Sequence, residues 1–358
     1  MMPYADDAAI PDEYVAYVGR KVLFIVGLAI AASVLLVMAI SLGAVRVPLL
    51  EVLRALFGME TDDRWRIIVH DIRLPHAMAA LLAGAGLAAA GAAMQSILRN
   101  PLGSPFTLGL SQAGAFGAAF AVMLLGTGVM QSTQVGAVTI ANPYWTTVSA
   151  FIACMVTSML IVAIARVRGA TPEIMVLSGV AMGSLFSAGT MFLQYFADDV
   201  QLAAMVFWTF GDVGRAGWRE VWYMAAVVIC GLFFFAANRW NYNAMEAGDD
   251  TARGLGVSVE RVRMLGMMAA SLITAVIVSF LGVIGFVGLV CPHIVRRFIG
   301  DDYRFVLPAS CLTGSVLLLA ADTAARLLLA PHVLPVAILT AFLGAPTFLY
   351  LLIWQRRR

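Results

Sequence analysis

Ten apolar runs along the chain limit what this sequence can fold into more than any other feature. A helix that crosses a bilayer needs about 20 apolar residues. Only 12% of the residues are charged, whereas soluble domains carry about 25%. We therefore predict an all-α integral membrane protein with about ten transmembrane helices. The predicted spans are residues 22–44, 74–98, 106–126, 145–165, 174–197, 220–237, 264–283, 285–296, 308–329 and 335–354.

The seventh and eighth spans are joined by a glycine-rich stretch, GVIGFVG, with Gly282, Gly285 and Gly288. Glycine adopts the backbone conformations that tight turns require. Two interpretations therefore stay open here: a turn between two separate helices, or one long helix with a kink.

Small residues are concentrated in the second and third spans, and Gly179 and Gly183 stand in GxxxG spacing in the fifth. Small side chains let helix backbones approach closely in lipid. The pattern favours tight packing inside one chain. The alternative is that these helices line a path or form a dimer seam.

The distribution of basic residues predicts the orientation of the chain. Cytoplasmic loops carry an excess of Lys and Arg. Ten spans place both termini on one side, and that side then holds 15 of the 23 basic residues, Arg356 to Arg358 included. The loop at residues 127–144, on the other side, has no charge. We predict cytoplasmic termini, a cytoplasmic N-terminal tail over residues 1–20 and a transmembrane domain over residues 21–358.

Residues that could carry chemistry are scattered. The four Cys have no CxxC spacing, and no His shares a helical face with another His or Cys at ligand spacing, so we predict no metal site. The sequence contains no Walker P-loop, HExxH or GxSxG motif, so we predict no catalytic residues. A single Lys among the basic residues leaves no lysine-rich tract for nucleic acid. Uphill transport would then draw its energy from an ion gradient or from another chain.

Asp322 and Arg326 are the two charged residues that lie well inside a predicted span. Charges inside a membrane are costly, and side chains at i and i+4 of a helix can pair with each other. A pair of this kind is favoured for Asp322, whereas the outward position of Arg326 leaves a second role open. A proton-coupled carrier usually has more unpaired carboxylates along its helices than this sequence offers.

The longest charged interruption in the second half is residues 238–263, NRWNYNAMEAGDDTARGLGVSVERVR. It holds helix-forming patches that are broken at Gly248, Gly254 and Gly256. The orientation places it in the cytoplasm. From these residues alone, a solvated connector and a binding surface for another molecule are equally well supported.

Five stretches together resemble the permease subunit of ABC importers for iron-siderophores, haem and cobalamin, which have the type II importer fold. They occur in the order of that family, at residues 73–118, 248–263, 282–296, 317–328 and 334–352. The resemblance implies a homodimer in the cell membrane, two ATP-binding subunits on its cytoplasmic face and a substrate-binding protein that docks outside. ATP and Mg would be used by those partner subunits, and this chain would bind no cofactor.

The resemblance also implies roles for particular residues. Residues 238–263 resemble the coupling loop, two short helices that sit in a groove of the ATPase subunit. Residues 248–257 match the family pattern without a gap, with Thr251 where the family often has Ala. The implied coupling residues are Glu246, Gly248, Asp249, Asp250, Ala252, Arg253, Leu255, Gly256 and Val257.

On the outer face, the resemblance implies that Arg73 and Arg326 receive acidic residues of the binding protein. His76 stands where the family often has a second Arg, which weakens that contact or makes it pH-sensitive, since His titrates near neutrality. Thr171, between the fourth and fifth spans, is the candidate for an inner gate.

The resemblance implies import of a ferric siderophore, with haem and cobalamin as the other substrates of the family. Two alternatives from other classes remain: a secondary transporter driven by an ion gradient, and an intramembrane enzyme, for which no catalytic set is present. Uptake that persists after ATP depletion in vesicles with an ion gradient would favour the secondary transporter.

Overall fold

The computed structural model describes residues 12–43, 45–130, 138–140, 143–329 and 332–355. Within them a π-helical turn (Ile68–Arg73) precedes α4, a 3-10 turn (Val213–Arg215) precedes α9, and two short strands form an antiparallel pair. The helices and strands are α1 (Asp12–Ser41), α2 (Leu49–Leu56), α3 (Asp63–Ile67), α4 (Leu74–Leu98), α5 (Leu110–Leu124), β1 (Gly128–Met130), β2 (Val138–Ile140), α6 (Pro143–Arg168), α7 (Pro172–Phe196), α8 (Asp199–Thr209), α9 (Trp218–Ala237), α10 (Arg239–Glu246), α11 (Asp249–Gly254), α12 (Val259–Leu281), α13 (Val287–Ile299), α14 (Tyr303–Leu328) and α15 (Val336–Gln355).

Each predicted span coincides with a helix of its own: α1, α4, α5, α6, α7, α9, α12, α13, α14 and α15. In the described part of the chain, 7 helical stretches are long and apolar enough to cross a membrane. The apolar parts of α5 and α15 are shorter, and α13 has 13 residues. The prediction of an all-α membrane bundle is confirmed.

The seventh and eighth predicted spans are separate helices, which resolves the two interpretations of the GVIGFVG stretch. α12 ends at Leu281, and Gly282 and Phe286 both have positive φ, at 82° and 66°. The backbone N–H of Asp212, which lies between α8 and α9, donates to the carbonyl of Leu281 at 2.8 Å. The bend between α12 and α13 is therefore bonded to the connection between α8 and α9.

Helix α4 lies at the centre of the bundle and packs against α9, α12, α13 and α14. A Cβ atom at Gly84 would collide with the backbone carbonyl of Gly314 on α14, and one at Gly91 would collide with Gly288 on α13. The small residues of the second span therefore serve tight packing within this chain, because only glycine lets these backbones approach so closely.

Several short helices were not predicted from the sequence. Helix α8 is one of them, and a capping box fixes its beginning: Asp198 accepts from the backbone N–H of Gln201 at 2.8 Å, and the Gln201 side chain accepts from the Asp198 N–H at 3.2 Å. Such a box satisfies two of the N–H groups that a helix start leaves unpaired. Helices α2 and α3 likewise lie in what was predicted as an outer loop.

The bundle has two ends, which we call the α10 end and the α2 end after the short helices there. The beginning of α1 is at the α10 end, because Phe24 stacks on Phe298 with ring centroids 5.7 Å apart. Residues 12–20 of the predicted tail are the first turns of α1. Residues 1–11 and Arg356 to Arg358 lie outside the described residues. The assignment of the α10 end to the cytoplasm stays a prediction.

Candidate functional site

The 238–263 segment folds into two short helices, α10 and α11, followed by the first turn of α12. Gly248, at φ 116°, separates the two helices. Helix α11 ends in a Schellman motif: the N–H of Val257 donates to the carbonyl of Ala252, and the N–H of Gly256 donates to that of Arg253, both at 2.9 Å. Gly256 holds the left-handed conformation that this motif requires, at φ 83°. The segment is therefore an ordered platform with fixed turns.

Arg263 anchors this platform to the membrane helices. Its side chain is 1% exposed. It donates to the carbonyl of Ile97 at the end of α4 at 2.8 Å and to that of Ala170 before α7 at 2.6 Å. The remaining nitrogen binds both carboxylate oxygens of Asp249 on α11, at 2.8 and 3.0 Å. One buried guanidinium thus joins α4, α11, α12 and the α6–α7 connection.

A second anchor joins the end of α10 to α4 and α13. Glu246 accepts from Arg296 at 2.8 Å and from the hydroxyl of Ser96 at 2.9 Å. Arg296 also donates to the Ser96 hydroxyl at 2.8 Å, which closes a triangle of three side chains. Charged hydrogen bonds of this kind are stronger than neutral ones. A displacement of α10 would therefore pull on both membrane helices.

A third anchor joins the middle of α10 to the beginning of α14. Asn243 donates to the Asp302 carboxylate at 3.1 Å and accepts from the backbone N–H of Tyr303 at 2.7 Å. Partial burial on its own would raise the pKa of Asp302, but hydrogen bonds from Arg304 and Asn243 outweigh it and lower that pKa below its usual value. Next to this anchor, the buried rings of Tyr242 on α10 and Tyr303 on α14 pack against each other, with centroids 4.7 Å apart.

The opposite face of the platform is exposed. Leu255 is 69% exposed although it is apolar, while Ala252 is buried underneath. Arg253 forms exposed ion pairs with Asp250 at 3.2 Å and with Glu260 at 3.9 Å. Exposed pairs contribute little to stability, so these side chains are available to another surface. The platform thus has one anchored face and one free face.

The structure brings Thr171 to this platform. Thr171 and Arg99 line one wall of a crevice of about 560 Å³, and residues 247–251 line the other wall. The Thr171 hydroxyl accepts from the N–H of Ile174 at 3.4 Å, which makes Thr171 the N-cap of α7. An N-cap fixes where a helix begins. A role for Thr171 as a gate stays a prediction.

Arg73 and Arg326 meet at the other end of the bundle, where both bind the last carbonyls of α1. Arg73 is 7% exposed and donates to Ile40 at 2.7 Å, to Ser41 at 2.8 Å and to Val45. Arg326 donates to the carbonyls of Ala39 and Leu42 at 3.1 and 3.3 Å, and it also forms an ion pair with Asp322 at 2.9 Å.

A helix end leaves such carbonyls unpaired and carries partial negative charge, so both arginines cap α1. In this conformation Arg73 has no free face for another protein. His76, the third residue predicted for docking, is half-buried. Docking by these three residues stays a prediction.

Sequence reasoning missed the anchors Arg263, Arg296 and Ser96. A signal for Arg263 was present, because it lies on the helix face of Val259 and Met267, four residues to either side, and both are buried. An arginine inside an apolar stripe of a helix is a candidate for burial with partners. For Ser96 and Arg296, which are 200 residues apart, no local pattern indicates the contact.

Comparisons with known proteins agree with this geometry. The model of the FecCD transport family matches residues 30–354. A protein of Methanocaldococcus jannaschii named as an ABC transporter permease is 53% identical over 98% of this chain and 99% of its own length. The Fe(3+)-citrate import system permease YfmE of Bacillus subtilis is 36% identical over 95% of this chain and 97% of its own. Other relatives are named for import of hemin, vitamin B12 and iron(3+)-hydroxamate.

Among solved structures, a metal-chelate type ABC transporter in an inward-facing conformation superposes with a TM-score of 0.78. It is 28% identical and covers 92% of this chain and 98% of its own. The membrane-spanning helices, the family match and these relatives together identify a multi-pass transport protein of the cell membrane, of the class of ABC importer permeases. More narrowly, the chain belongs to the FecCD transport family.

Proposed function

We propose that this chain is the transmembrane permease of an ABC importer that moves a ferric siderophore or a related metal chelate, such as haem or cobalamin, into the cytoplasm. The energy comes from ATP hydrolysis, with Mg, on two partner ATPase subunits. A substrate-binding protein delivers the chelate from outside. The observation that carries the proposal is the platform at residues 238–263, with one face tied to membrane helices and the other exposed.

The anchors explain how work on the exposed face reaches the membrane. A push on α11 acts on Asp249 and, through Arg263, on α4, α12 and the α6–α7 connection. A push on α10 acts through Glu246 on α4 and α13. Packed cores transmit displacements because they hardly compress. The platform and these helices therefore move together when the ATPase subunits close.

The proposed homodimer is supported by the exposed side of α7. A crevice of about 510 Å³ runs between α5 and α7, and Gln112, Ser184 and Ser187 line it together with glycines and apolar side chains. Polar side chains on a lipid-facing surface are unfavourable. A second copy of the chain that faces this side would shield them and enclose a path between the two copies.

The test of the coupling surface is Leu255→Asp, with Leu50→Asp as its matched control. Both leucines are exposed, at 69% and 59%, and they lie at opposite ends of the bundle. We expect Leu255→Asp to abolish co-purification with the ATPase subunit and ATP-dependent uptake, while Leu50→Asp retains that co-purification. Equal ATPase association of the two variants would overturn the assignment of the coupling surface.

The energy source is tested in proteoliposomes that contain the permease and its ATPase subunits. Uptake should require internal ATP and Mg and should persist when ion gradients are collapsed. Uptake driven by a gradient without ATP would instead establish a secondary transporter.

The substrate class rests on relatives named for Fe(3+)-citrate, hemin and vitamin B12. Because discrimination lies mainly with the binding protein, the decisive measurement is which chelate the associated binding protein retains. We expect a ferric siderophore. Retention of haem or cobalamin would change the substrate and leave the class of transporter intact.

A further inference from the structure

A groove of about 600 Å³ runs along the outside of the bundle between α9 and α14. Its walls are apolar, formed by Ile229, Leu232 and Phe233 on α9 and by Leu307, Cys311 and Leu312 on α14. Phe233 is 73% exposed. The groove belongs to two membrane-spanning helices, so its walls face the acyl chains of the bilayer or a molecule that replaces them.

Two arginines close the groove at the α10 end, Arg239 and Arg304. Their guanidinium carbons lie 5.9 and 5.1 Å from the ring centroid of Trp240, which is 58% exposed. Arg304 is paired with Asp302 at 2.7 Å. Arg239 has no carboxylate partner among the residues that the structure describes. The groove end therefore carries one net positive charge.

Aromatic residues indicate that this end lies at the level of lipid headgroups. Tyr14 and Tyr17 on α1 are about half exposed, at 48% and 47%, and the ammonium of Lys21 lies 4.1 Å from the Tyr17 ring centroid. Together with Trp240 they form the belt of aromatic and basic side chains that is typical of a membrane–water interface. Arg239 thus lies at the depth of the lipid phosphates, where it can bind one of them.

We propose that this groove is a binding site for one anionic phospholipid. An acyl chain lies between α9 and α14. The headgroup phosphate binds Arg239 and lies near Arg304 and Trp240. Basic pockets between membrane helices recognise anionic headgroups by the same chemistry. The apolar length of the groove distinguishes a lipid from a free phosphate ion, which would contact only its arginine end.

The site is tested by native mass spectrometry of the purified protein in detergent, with dioleoyl phosphatidylglycerol and dioleoyl phosphatidylcholine as probes. We expect one tightly held phosphatidylglycerol per chain and no comparable retention of phosphatidylcholine. Arg239→Gln should weaken phosphatidylglycerol binding about fivefold, since each arginine at a membrane surface contributes about that factor toward anionic lipid.

Arg168→Gln is the matched control, because Arg168 is an exposed arginine at the end of α6, on the same end of the bundle but away from the groove. It should bind phosphatidylglycerol like the unmodified protein. Equal loss in both variants, or equal binding of the two lipids, would overturn the site. Glycerol phosphate that displaces the lipid at similar concentration would show a free-phosphate site instead. Chain-to-chain crosslinking through Phe233→Cys, in a Cys230→Ser background, would show that a second copy covers the groove.

Discussion

Both ends of the bundle use largely buried arginines to join helices, but the two ends differ in what they leave exposed. At the α10 end, Arg263 and Arg296 join separate helices and leave the far face of the platform free. At the α2 end, Arg73 and Arg326 bind the carbonyls at the end of α1, and their guanidinium groups have little exposed surface. Docking through Arg73 and Arg326 therefore stays a prediction, and it would require these side chains to give up hydrogen bonds that they make in this structure. The surface for a partner is where charged side chains stay uncommitted.

The largest effect that distinguishes the two ends is expected for Arg263→Met. Removing this guanidinium leaves Asp249 and two backbone carbonyls without their partner, and breaking a buried ion pair costs about 3 kcal/mol or more. We expect a clear drop in the thermal unfolding midpoint in detergent and loss of ATP-driven uptake. The matched control is Arg261→Met, two residues away and exposed, which should change stability by less than about 0.5 kcal/mol. Equal midpoints for the two variants would show that Arg263 anchors nothing.

A smaller and more local effect is expected for Arg73→Met. Hydrogen bonds from a charged donor contribute about 1.5–3 kcal/mol, and the loss here is confined to the end of α1. Hydrogen exchange should become faster in residues 39–43 and 45–47, with protection of residues 238–263 unchanged. Arg66→Met, at an exposed position on α3, is the control. If Arg73→Met instead abolished binding-protein docking without any change in exchange, its docking role would be primary.

The turn chemistry of the platform is tested by the pair Gly256→Ala and Gly254→Ala. Gly256 has φ 83°, whereas Gly254 has helical geometry with nothing within 4 Å of an added Cβ. A left-handed residue with a side chain costs about 1 kcal/mol, so Gly256→Ala should lower the unfolding midpoint slightly. Gly254→Ala should be neutral or stabilising, because alanine favours helices. The reverse order would rule out the Schellman geometry.

The smallest effect is a pH dependence at Asp302. Its pKa is lower in the folded protein than in the unfolded chain, so the carboxylate contributes stability above its unfolded pKa, about 3.9. That contribution is lost as the pH falls through the lower folded pKa. The difference in unfolding midpoint between the unmodified protein and Asp302→Asn should be present at pH 6 and should shrink as the pH falls below about 3.9. A difference that does not change with pH would assign the effect to helix capping alone.

The sequence predicted the membrane helices well, because apolar run length is a local property. Both GVIGFVG and the 238–263 segment were recognised as interruptions on the same basis. Helix α8 was missed because its 11 residues lie between two spans and its capping box was not recognised. The anchors were missed because they depend on distance in space: Arg263 meets Ile97 across 166 positions and Arg296 meets Ser96 across 200. The pair of Asp322 and Arg326 was predicted from its i, i+4 spacing and is present in the structure. The carbonyl partners of Arg73 and Arg326 could not be predicted, because backbone carbonyls leave no trace in residue type.

The bend between α12 and α13 has a consequence for any conformational change. Helix α13 is about 20 Å long, shorter than the hydrocarbon core of about 30 Å, so residues 282–286 lie within the depth of the bilayer. Non-helical backbone at that depth must be covered by protein. Here the α8–α9 connection covers the bend, because the N–H of Asp212 donates to the carbonyl of Leu281 at 2.8 Å. The same connection accepts a hydrogen bond from α15, from the N–H of Ala337 to the carbonyl of Gly211 at 3.3 Å. Separating the bend from the α8–α9 connection would leave the N–H of Asp212 and the carbonyl of Leu281 without a partner in the bilayer. We therefore expect the two segments to move together in any conformational change.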